Sequence, residues 1–437
     1  MPESIDNLKT QPYAPLGVIA LPGTEELAAA IDRYIRAWRE KEIVGHEDDV
    51  AYADFLKDSY IVDSEIIRFG TGEGKAMLHQ TVRGYDLYII VDPFNWGATY
   101  KVRFGGVEKD MPIMPDEHYM NVKRIISAVA GKAKRISVIM PMLYCGRQHK
   151  RHGRESLDCA MALQELCLEM GVDNIITFEA HDARVQNSIP QKGFENLSTT
   201  YQMIKALYYW DAVRNGDMKF DADHMIICSP DEGGMFRAMN YSTDLELELG
   251  TFYKQRDMDK VVGGQNKVLK HKFLGGDVAG KDVIVVDDMI SSGGSALTVA
   301  RELKRLGAKR VFFCIAFGLF CNGLAEFDRA YEEGAFDAVL CTNLIYRFPE
   351  LKQREWFAEV NCSKYVSLLV NNLNHDVSIS GILSHKDKVK RFLVNRGKLP
   401  VPETGEFRTK DPATGHFLDP ETGDVLDPKL VFGSKLA

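Results

Sequence analysis

Residues 283–295 constrain the fold of this chain more than any other stretch. Residues 283–286 read Val-Ile-Val-Val, and four consecutive β-branched residues predict a parallel-sheet strand covered on both faces. Asp287 and Asp288 follow at the expected carboxyl end of that strand, where open α/β sheets place their ligands. The segment therefore predicts an α/β fold with a ligand site at this point of the sheet.

The loop after the strand is made of small residues: Ser291, Ser292, Gly293, Gly294 and Ser295. Their backbone can approach an anion closely, and their hydroxyls can donate to it. Residues 296–306 then predict an amphipathic helix whose first turn directs free amides back at the loop. Two carboxylates beside such a cradle favour a ligand with vicinal hydroxyls and a phosphate, as in ribose 5-phosphate. The alternative is an ordinary strand-to-helix turn in which the two aspartates cap the helix or lie at the surface.

The whole segment resembles the phosphoribosyl-diphosphate loop of type I phosphoribosyltransferases and of ribose-phosphate diphosphokinases. The diphosphokinases carry a further Asp and a Thr where this chain has Ser291 and Ser292. The resemblance implies that Asp287 and Asp288 hold the ribose hydroxyls. It also implies that residues 291–295 hold the 5-phosphate.

Composition narrows the class of protein. A chain of 437 residues with 45% hydrophobic and 27% charged residues is typical of a soluble globular protein of two or three domains. The net charge of -8 argues against a general nucleic-acid binder, so cations that contact phosphate must be concentrated locally. The eight Cys show no Cys-x-x-Cys spacing, which indicates neither a zinc ribbon nor a disulfide framework. We therefore expect a cytoplasmic protein with no membrane segment.

A loop rich in cations follows a predicted strand at 135–142. Runs of charge are usually solvated faces, but at a strand end in an acidic protein this one favours a polyphosphate contact. The segment resembles the family's Arg-Gln-Asp nucleotide loop, with His149 in place of the Asp. The cations of the run are Arg147, Lys150, Arg151 and Arg154. The residues of this loop that the resemblance assigns to ATP binding are Arg147, Gln148, His149 and Arg154.

Phe69-Gly-Thr-Gly-Glu73 resembles a segment of the family's adenine pocket, with Thr71 replacing the usual Asn or Asp. On physical grounds alone Phe69 is more simply explained as ordinary core. Only the resemblance implies that Phe69 packs on the base and that Glu73 lies nearby.

Two further segments supply candidate ligands for magnesium. His181 follows a predicted strand at 174–178 and matches the His of the family's Asp-Leu-His, which helps to hold Mg²⁺; a structural histidine is the alternative. Residues 229–234, Ser-Pro-Asp-Glu-Gly-Gly, closely resemble a second family motif in which Asp231 is a hard oxygen ligand and part of the ribose 5-phosphate site. The cofactor implied is Mg²⁺.

Residues 249–256 resemble the start of the family's mobile loop, which closes over ATP. The family's Lys-Arg-Arg is represented by Lys254, Gln255 and Arg256. The resemblance implies that Lys254 and Arg256 are the catalytic cations, and we expect residues 257–267 to be flexible.

The resemblance spans about residues 18–393, apart from insertions at 39–64 and 96–116. It implies an α/β fold of two tandem type I phosphoribosyltransferase-like domains, each a mainly parallel sheet flanked by helices. We predict a flexible lead at 1–16, an N-terminal ATP-side domain at 17–196 completed by about 376–395, a C-terminal ribose 5-phosphate-side domain at 197–375, and a Pro/Gly-rich tail with short repeats at 396–437.

The implied reaction transfers the diphosphoryl group of ATP to the C1 hydroxyl of ribose 5-phosphate, giving AMP and phosphoribosyl diphosphate for nucleotide biosynthesis. The implied working state is a homo-oligomer, dimer-based and up to a hexamer, without nucleic acid or membrane.

Two other functions stay open. A phosphoribosyltransferase would need one such domain and no Arg147 loop, and a catalytically silent paralogue would regulate an active partner. Thr71, His149, Gln255 and Ser291 are the departures that favour the silent paralogue.

Overall fold

The computed structural model describes residues 11–397 apart from 152, 215, 263 and 264, and between 254 and 271 it describes the backbone alone. The chain divides into two compact units. Of the described residues, the first unit contains 11–198 with Asn343–Tyr346 and Cys362–Leu383, and the second contains Thr199–Thr342, Arg347–Asn361 and 384–397. Two later segments, Asn343–Tyr346 and Cys362–Leu383, thus group with the first unit, and the second of them overlaps the segment at about 376–395 that was predicted to complete it.

The first unit is built on a five-stranded sheet in the order β1-β4-β7-β8-β9, in which every neighbouring pair is parallel. Two short antiparallel hairpins, β2–β3 and β5–β6, lie outside this sheet. The strands are β1 (Leu16–Ala20), β2 (Ser64–Arg68), β3 (Gly74–Leu78), β4 (Asp86–Ile90), β5 (Thr99–Phe104), β6 (Val107–Pro112), β7 (Arg135–Ile139), β8 (Asn174–Phe178) and β9 (Gly193–Leu197).

The second unit is built on a seven-stranded sheet in the order β12-β11-β10-β13-β14-β15-β16, parallel except for the β11–β12 pair. The strands are β10 (Met225–Ser229), β11 (Leu249–Val262), β12 (Gln265–Leu274), β13 (Asp282–Ile290), β14 (Arg310–Gly318), β15 (Ala338–Thr342) and β16 (Phe357–Val360). All nine residues of β14 are buried, as expected for a central parallel strand covered on both faces.

Helices flank both sheets. They are α1 (Glu25–Glu42), α2 (Pro115–Val129), α3 (Asp158–Gln164), α4 (Thr200–Ala212), α5 (Met235–Leu245), α6 (Gly294–Arg305), α7 (Ala325–Glu332), α8 (Ser363–Asn374), α9 (Ser380–Leu383) and α10 (Lys386–Asn395). In the first unit, the buried face of α2 packs with β4 and β7 in one hydrophobic core that includes Leu87, Val122, Ile125 and Val138. No described helix is both long enough and apolar enough to cross a membrane.

Three predictions of local structure differ from the structure. Strand β13 continues to Ile290, so Asp287 and Asp288 lie within it rather than after its end. The described residues of 257–267 belong to β11 and β12, where Val261 pairs with Asn266 and Val262 with Gln265, and their flexibility stays a prediction. The predicted lead is attached to the unit, because Tyr13 donates its N–H to Asn374 O at 2.7 Å. The predicted tail begins inside a packed region, since Arg396 donates to Tyr209 Oη at 3.0 Å. Residues 398–437, with the repeats, lie outside the described residues.

The insertion at 39–64 covers the open edge of the first sheet. Val18 of β1 donates its N–H to Tyr60 O and accepts from Val62 N–H, each at 2.8 Å. Arg39, fully buried, donates to Asp54 Oδ2 at 2.9 Å. The insertion thus satisfies the backbone of an edge strand that would otherwise stay exposed.

Candidate functional site

The second unit has a cavity of about 190 Å³ at the carboxyl ends of β10 and β13. Its lining includes Asp231, Asp287, Ser291, Ser292, Gly293 and Ser295. These predicted ligand residues come from two separate segments and face one space, because β10 and β13 are adjacent parallel strands. Residues Val285, Asp287 and Met289 of β13 face the cavity, as the pleat of a strand requires of alternate residues.

The two adjacent aspartates have different surroundings. Asp288 is 3% exposed, is absent from the cavity lining, and lies 3.5 Å from Arg237 through Oδ2 and Nη2. Asp287 lies on the cavity side and accepts the Asp288 N–H through Oδ1 at 2.9 Å. Burial, and then the charge of Asp288, raise the pKa of Asp287 well above its ordinary value. Asp287 therefore resists carrying a negative charge unless a cation or a hydroxyl donor joins it.

The small-residue loop is held in one shape. Gly293 has a φ of +88°, and a Cβ there would lie 2.2 Å from Cε2 of Phe327, so no other residue fits without displacement. Helix α6 begins at Gly294, and the first amides of a helix have no acceptor within it. Ser291 O accepts from Cys321 N–H at 2.8 Å, which ties the loop to the segment after β14. The arrangement is suited to an anion at the start of α6.

The second loop of this unit is a turn closed by its own aspartate. Oδ1 of Asp231 accepts from Gly233 N–H at 3.0 Å and from Gly234 N–H at 3.3 Å. The Ser229 hydroxyl donates to Asp231 O at 2.6 Å. Arg237, two residues into α5, was not among the predicted site residues. A cation in the first turns of the helix after a phosphate-type loop is the signal that could have identified it.

In the first unit, the turn between β2 and β3 presents Phe69 and Glu73. Phe69 is 50% exposed, so the interpretation of this residue as ordinary core is wrong. The turn is closed by Phe69 N–H to Glu73 O at 2.9 Å. Thr71, which replaces the family's Asn or Asp, donates its hydroxyl to Glu73 Oε2 at 2.9 Å and so orients that carboxylate.

The cationic loop follows β7 as predicted, and the side chains of Arg147, Gln148, Lys150, Arg151 and Arg154 are exposed. His149 differs from them, since its side chain is 10% exposed and its Nε2 lies 3.4 Å from Asp182 Oδ2. Its ring centroid lies 5.2 Å from that of His181, which follows β8. The two histidines meet because β7 and β8 are neighbouring parallel strands.

The charge state of His149 depends on burial and on Asp182. Burial lowers the pKa of His149, although Asp182 opposes that shift, so His149 favours the neutral form near pH 7. The bonds from Arg184 are the main reason that the pKa of Asp182 falls to about 2. Sequence reasoning missed Asp182, which lies next to His181 in the chain.

The predicted catalytic cations lie on a strand. Lys254 and Arg256 belong to β11, opposite His271 and Val268 of β12, with register shifts after Gln255 and after Arg256. Their side chains lie outside the described residues. Among the residues that are described, no three His, Cys, Asp or Glu side chains form a group able to hold a metal ion.

Two family models match the chain. Residues 16–170 match the N-terminal domain of ribose phosphate pyrophosphokinase, and residues 199–333 match the phosphoribosyl transferase domain. Ribose-phosphate pyrophosphokinase of Pasteurella multocida is 25% identical over 325 residues, covering 74% of this chain and 91% of that protein. The Gloeobacter violaceus protein of the same name is 29% identical over 294 residues, covering 65% and 76%.

The fold is similar to a solved structure. Phosphoribosylpyrophosphate synthetase from Mycobacterium smegmatis superposes with a TM-score of 0.60 at 20% identity, covering 83% of this chain and 99% of that chain. Together with the two matched domains, this confirms the predicted α/β fold of two tandem phosphoribosyltransferase-like domains.

Proposed function

Because this chain belongs to the ribose-phosphate pyrophosphokinase family, a family of diphosphotransferases, we propose that it transfers the diphosphoryl group of ATP to ribose 5-phosphate. The products are 5-phosphoribosyl 1-diphosphate and AMP. The anomeric hydroxyl attacks the β-phosphorus, the bond from that phosphorus to the α-phosphate oxygen breaks, and AMP leaves. Such a reaction needs positioning and charge neutralisation rather than a covalent enzyme intermediate.

The observation that carries the proposal is the cavity of the second unit. One face offers the partly buried carboxylates of Asp231 and Asp287, and another offers Ser291–Ser295 at the first turn of α6. Carboxylates accept hydrogen bonds from sugar hydroxyls, and helix amides with serine hydroxyls donate to a phosphate. A pentose with a phosphate at one end satisfies both sets. Asp288 was also predicted to hold a ribose hydroxyl, but it is absent from the cavity lining and lies 3.5 Å from Arg237, so we propose the direct sugar contact for Asp287.

The first unit supplies the groups proposed for ATP. Phe69 offers an exposed ring for the base, with Glu73 beside it. Arg147, Gln148, His149 and Arg154 are proposed for the triphosphate, since guanidinium groups bind phosphate in a two-pronged geometry. His149 favours its neutral form, so it contributes a hydrogen bond in place of the family's carboxylate.

A divalent cation fits the described carboxylates. Mg²⁺ takes one or two carboxylates and keeps several waters, so it does not need a three-residue cluster. Asp231 and Asp287 face one cavity, and a cation there would relieve the condition that raises the pKa of Asp287. Mg²⁺ would supply charge neutralisation of the phosphate oxygens. His181 is proposed as a metal residue in the first unit on the resemblance alone.

Lys254 and Arg256 are proposed as the cations that stabilise the migrating diphosphoryl group. The proposal extends to a cytoplasmic homo-oligomer that serves nucleotide biosynthesis. The direct test is an assay of AMP formed from ATP, ribose 5-phosphate and Mg²⁺. AMP formed only when ribose 5-phosphate is present supports the proposal. Absence of AMP, with both ligands still bound, would favour the silent paralogue.

Lys254→Ala sharpens that test. We expect AMP formation to fall by roughly a thousandfold or more, with ribose 5-phosphate affinity by calorimetry unchanged. Lys272→Ala, an exposed lysine on the neighbouring strand β12, is the matched control and should keep wild-type turnover. Unchanged turnover in Lys254→Ala would remove Lys254 from the mechanism.

A further inference from the structure

The β5–β6 hairpin occupies the insertion at 96–116, to which neither the sequence nor the proposed reaction gives a role. Its base is closed by Ile113 N–H to Ala98 O at 2.8 Å. Its two-residue tip is Gly105-Gly106, both with positive φ. The rest of β5–β6 has mostly exposed side chains, yet Val102 in its middle is 3% exposed.

Val102 is buried because the hairpin packs under the turn that carries Phe69 and Glu73. The Arg103 N–H donates to Gly70 O at 2.8 Å, which joins β5 to this turn through the backbone. A Cβ on Gly72 would lie 3.4 Å from Val102 Cγ1, so the valine methyl lies close beside the turn. The β5–β6 hairpin therefore meets the turn at Gly70 and Gly72, which lie between Phe69 and Glu73 in the chain.

A charged group of side chains adds a second connection. Arg68, at the end of β2, donates to Gly72 O at 3.0 Å and lies with its guanidinium carbon 4.3 Å from the centre of the Tyr100 ring. Glu117 of α2 accepts from the Tyr100 hydroxyl at 2.6 Å and from Arg68 at 3.3 Å. The turn is thus linked through β5 to a helix of the main core.

We propose that the β5–β6 hairpin is a positioning element that sets the affinity and base selectivity of the nucleotide site, an inference that rests on the proposed function. A two-stranded hairpin is marginally stable by itself. The strands of β2–β3 pack on the core through Ile66, Ala76 and Leu78, and the β5–β6 hairpin contacts the turn between them. Phe69 is half exposed, so its place depends on the turn rather than on packing of its own ring. Binding residues keep their geometry when a supporting layer fixes them. Val102 and the Arg103 amide provide that layer.

A matched pair of valine substitutions tests the proposal in the full-length protein. Val102→Ala removes the methyl groups under the turn, whereas Val107→Ala changes an exposed valine at the tip, 56% accessible. We expect Val102→Ala to raise the Kd and KM for ATP by roughly three- to tenfold and to narrow the preference for ATP over GTP. The KM for ribose 5-phosphate should stay unchanged, and Val107→Ala should match the wild type throughout.

A larger change keeps the test decisive if the valine effect is small. Replacing residues 99–112 with Gly-Gly rejoins Ala98 and Ile113, whose backbones are already hydrogen bonded. We expect this variant to lose at least about tenfold in ATP affinity. A purely structural role would lower the melting temperature without a selective change in ATP affinity or base preference, and that result overturns the proposal. Equal ATP affinity and selectivity in all variants would also overturn it. Failure of the wild type to form AMP would instead count against the proposed function.

Discussion

The two candidate pockets differ in how the fold makes them. The cavity of the second unit is built into the ends of buried strands, with Asp288 fixed by Arg237 and Gly293 fixed by Phe327. The nucleotide side of the first unit is built from exposed side chains on a turn and a loop, with Phe69 half accessible. In the first case the pocket is inseparable from the core of its unit. In the second, residues outside the pocket hold it in place.

This difference predicts how each pocket responds to substitution. Changes in the cavity of the second unit should alter folding and ligand binding together, because the same groups serve both. Changes on the β2–β3 turn should alter binding with little effect on folding. The following variants test this contrast, from the largest expected effect to the smallest.

Gly293→Ala should have the largest effect. The new Cβ meets the Phe327 ring at a positive φ, so we expect a loss of about 2–4 kcal/mol in unfolding free energy and a fall in AMP formation of at least about a hundredfold. Chemical denaturation and the AMP assay measure the two effects. Gly294→Ala is the control for stability, since nothing lies within 4 Å of its added Cβ. Equal stability of the two variants would contradict the tight fit at Gly293.

Asp287→Asn should raise the stability of the protein and lower its affinity for ribose 5-phosphate. Because the folded pKa of Asp287 is raised above the ordinary 3.8, the folded unit binds this proton more tightly, and stability falls as pH rises through that folded pKa. The amide cannot ionise, so without Mg²⁺ or substrate we expect the variant to be more stable at pH 7 by on the order of 1 kcal/mol. Ribose 5-phosphate affinity should fall by roughly ten- to a hundredfold. Urea unfolding at pH 7 and pH 4 measures the stability, and calorimetry measures the affinity for ribose 5-phosphate. A variant less stable than the wild type at pH 7 would contradict the raised pKa of Asp287.

Phe69→Ala should affect binding alone. Loss of base stacking predicts a rise in KM for ATP of roughly tenfold. Because half of this side chain is already exposed, unfolding free energy should stay within about 0.5 kcal/mol. Phe104→Ala, at 58% exposure on the β5–β6 hairpin, is the matched control and should change neither quantity. A large loss of stability in Phe69→Ala would erase the contrast between the two pockets.

Thr71→Val should have the smallest effect. It removes the hydroxyl that orients Glu73 at an exposed position, so we expect about a twofold rise in KM for ATP and no measurable change in melting temperature. Thr99→Val, at an exposed position of β5, controls for the loss of a surface hydroxyl. Identical KM values in the two variants would show that Thr71 does not orient Glu73.

The cavity of the second unit was more predictable from sequence than the nucleotide side of the first unit. Residues 283–295 contain the strand, the carboxylates and the loop in one run. The structure differs in continuing β13 to Ile290, because Met289 and Ile290 pair with Phe317 and Gly318 of β14, and in placing Asp288 outside the cavity lining. Contacts between distant segments were not predicted. Asp182 reaches His149 only because β7 and β8 are adjacent, and Arg237 reaches Asp288 from α5.

The inserted hairpin was predictable in form but not in placement. Gly105-Gly106 between the stretches 99–104 and 107–112 is the usual signal for a two-residue hairpin loop. The insertion at 96–116 was nevertheless predicted without any secondary structure. That Val102 packs beneath Gly72 depends on tertiary contacts that no local pattern encodes.

The return of α8 to the first unit has a consequence for biosynthesis. Asn374, fully buried, accepts from Arg39 at 2.5 Å and donates to Asp86 at 2.9 Å, and Arg135 donates to Leu373 O at 2.6 Å. At translation rates of about 5–20 residues per second, roughly ten to thirty-five seconds pass between synthesis of Ser198 and of Asn374. Throughout that interval the nascent first unit holds Arg39 and Asp86 without their final partner. A chain released near residue 198 should therefore be a substrate for chaperones and proteases rather than an independent domain.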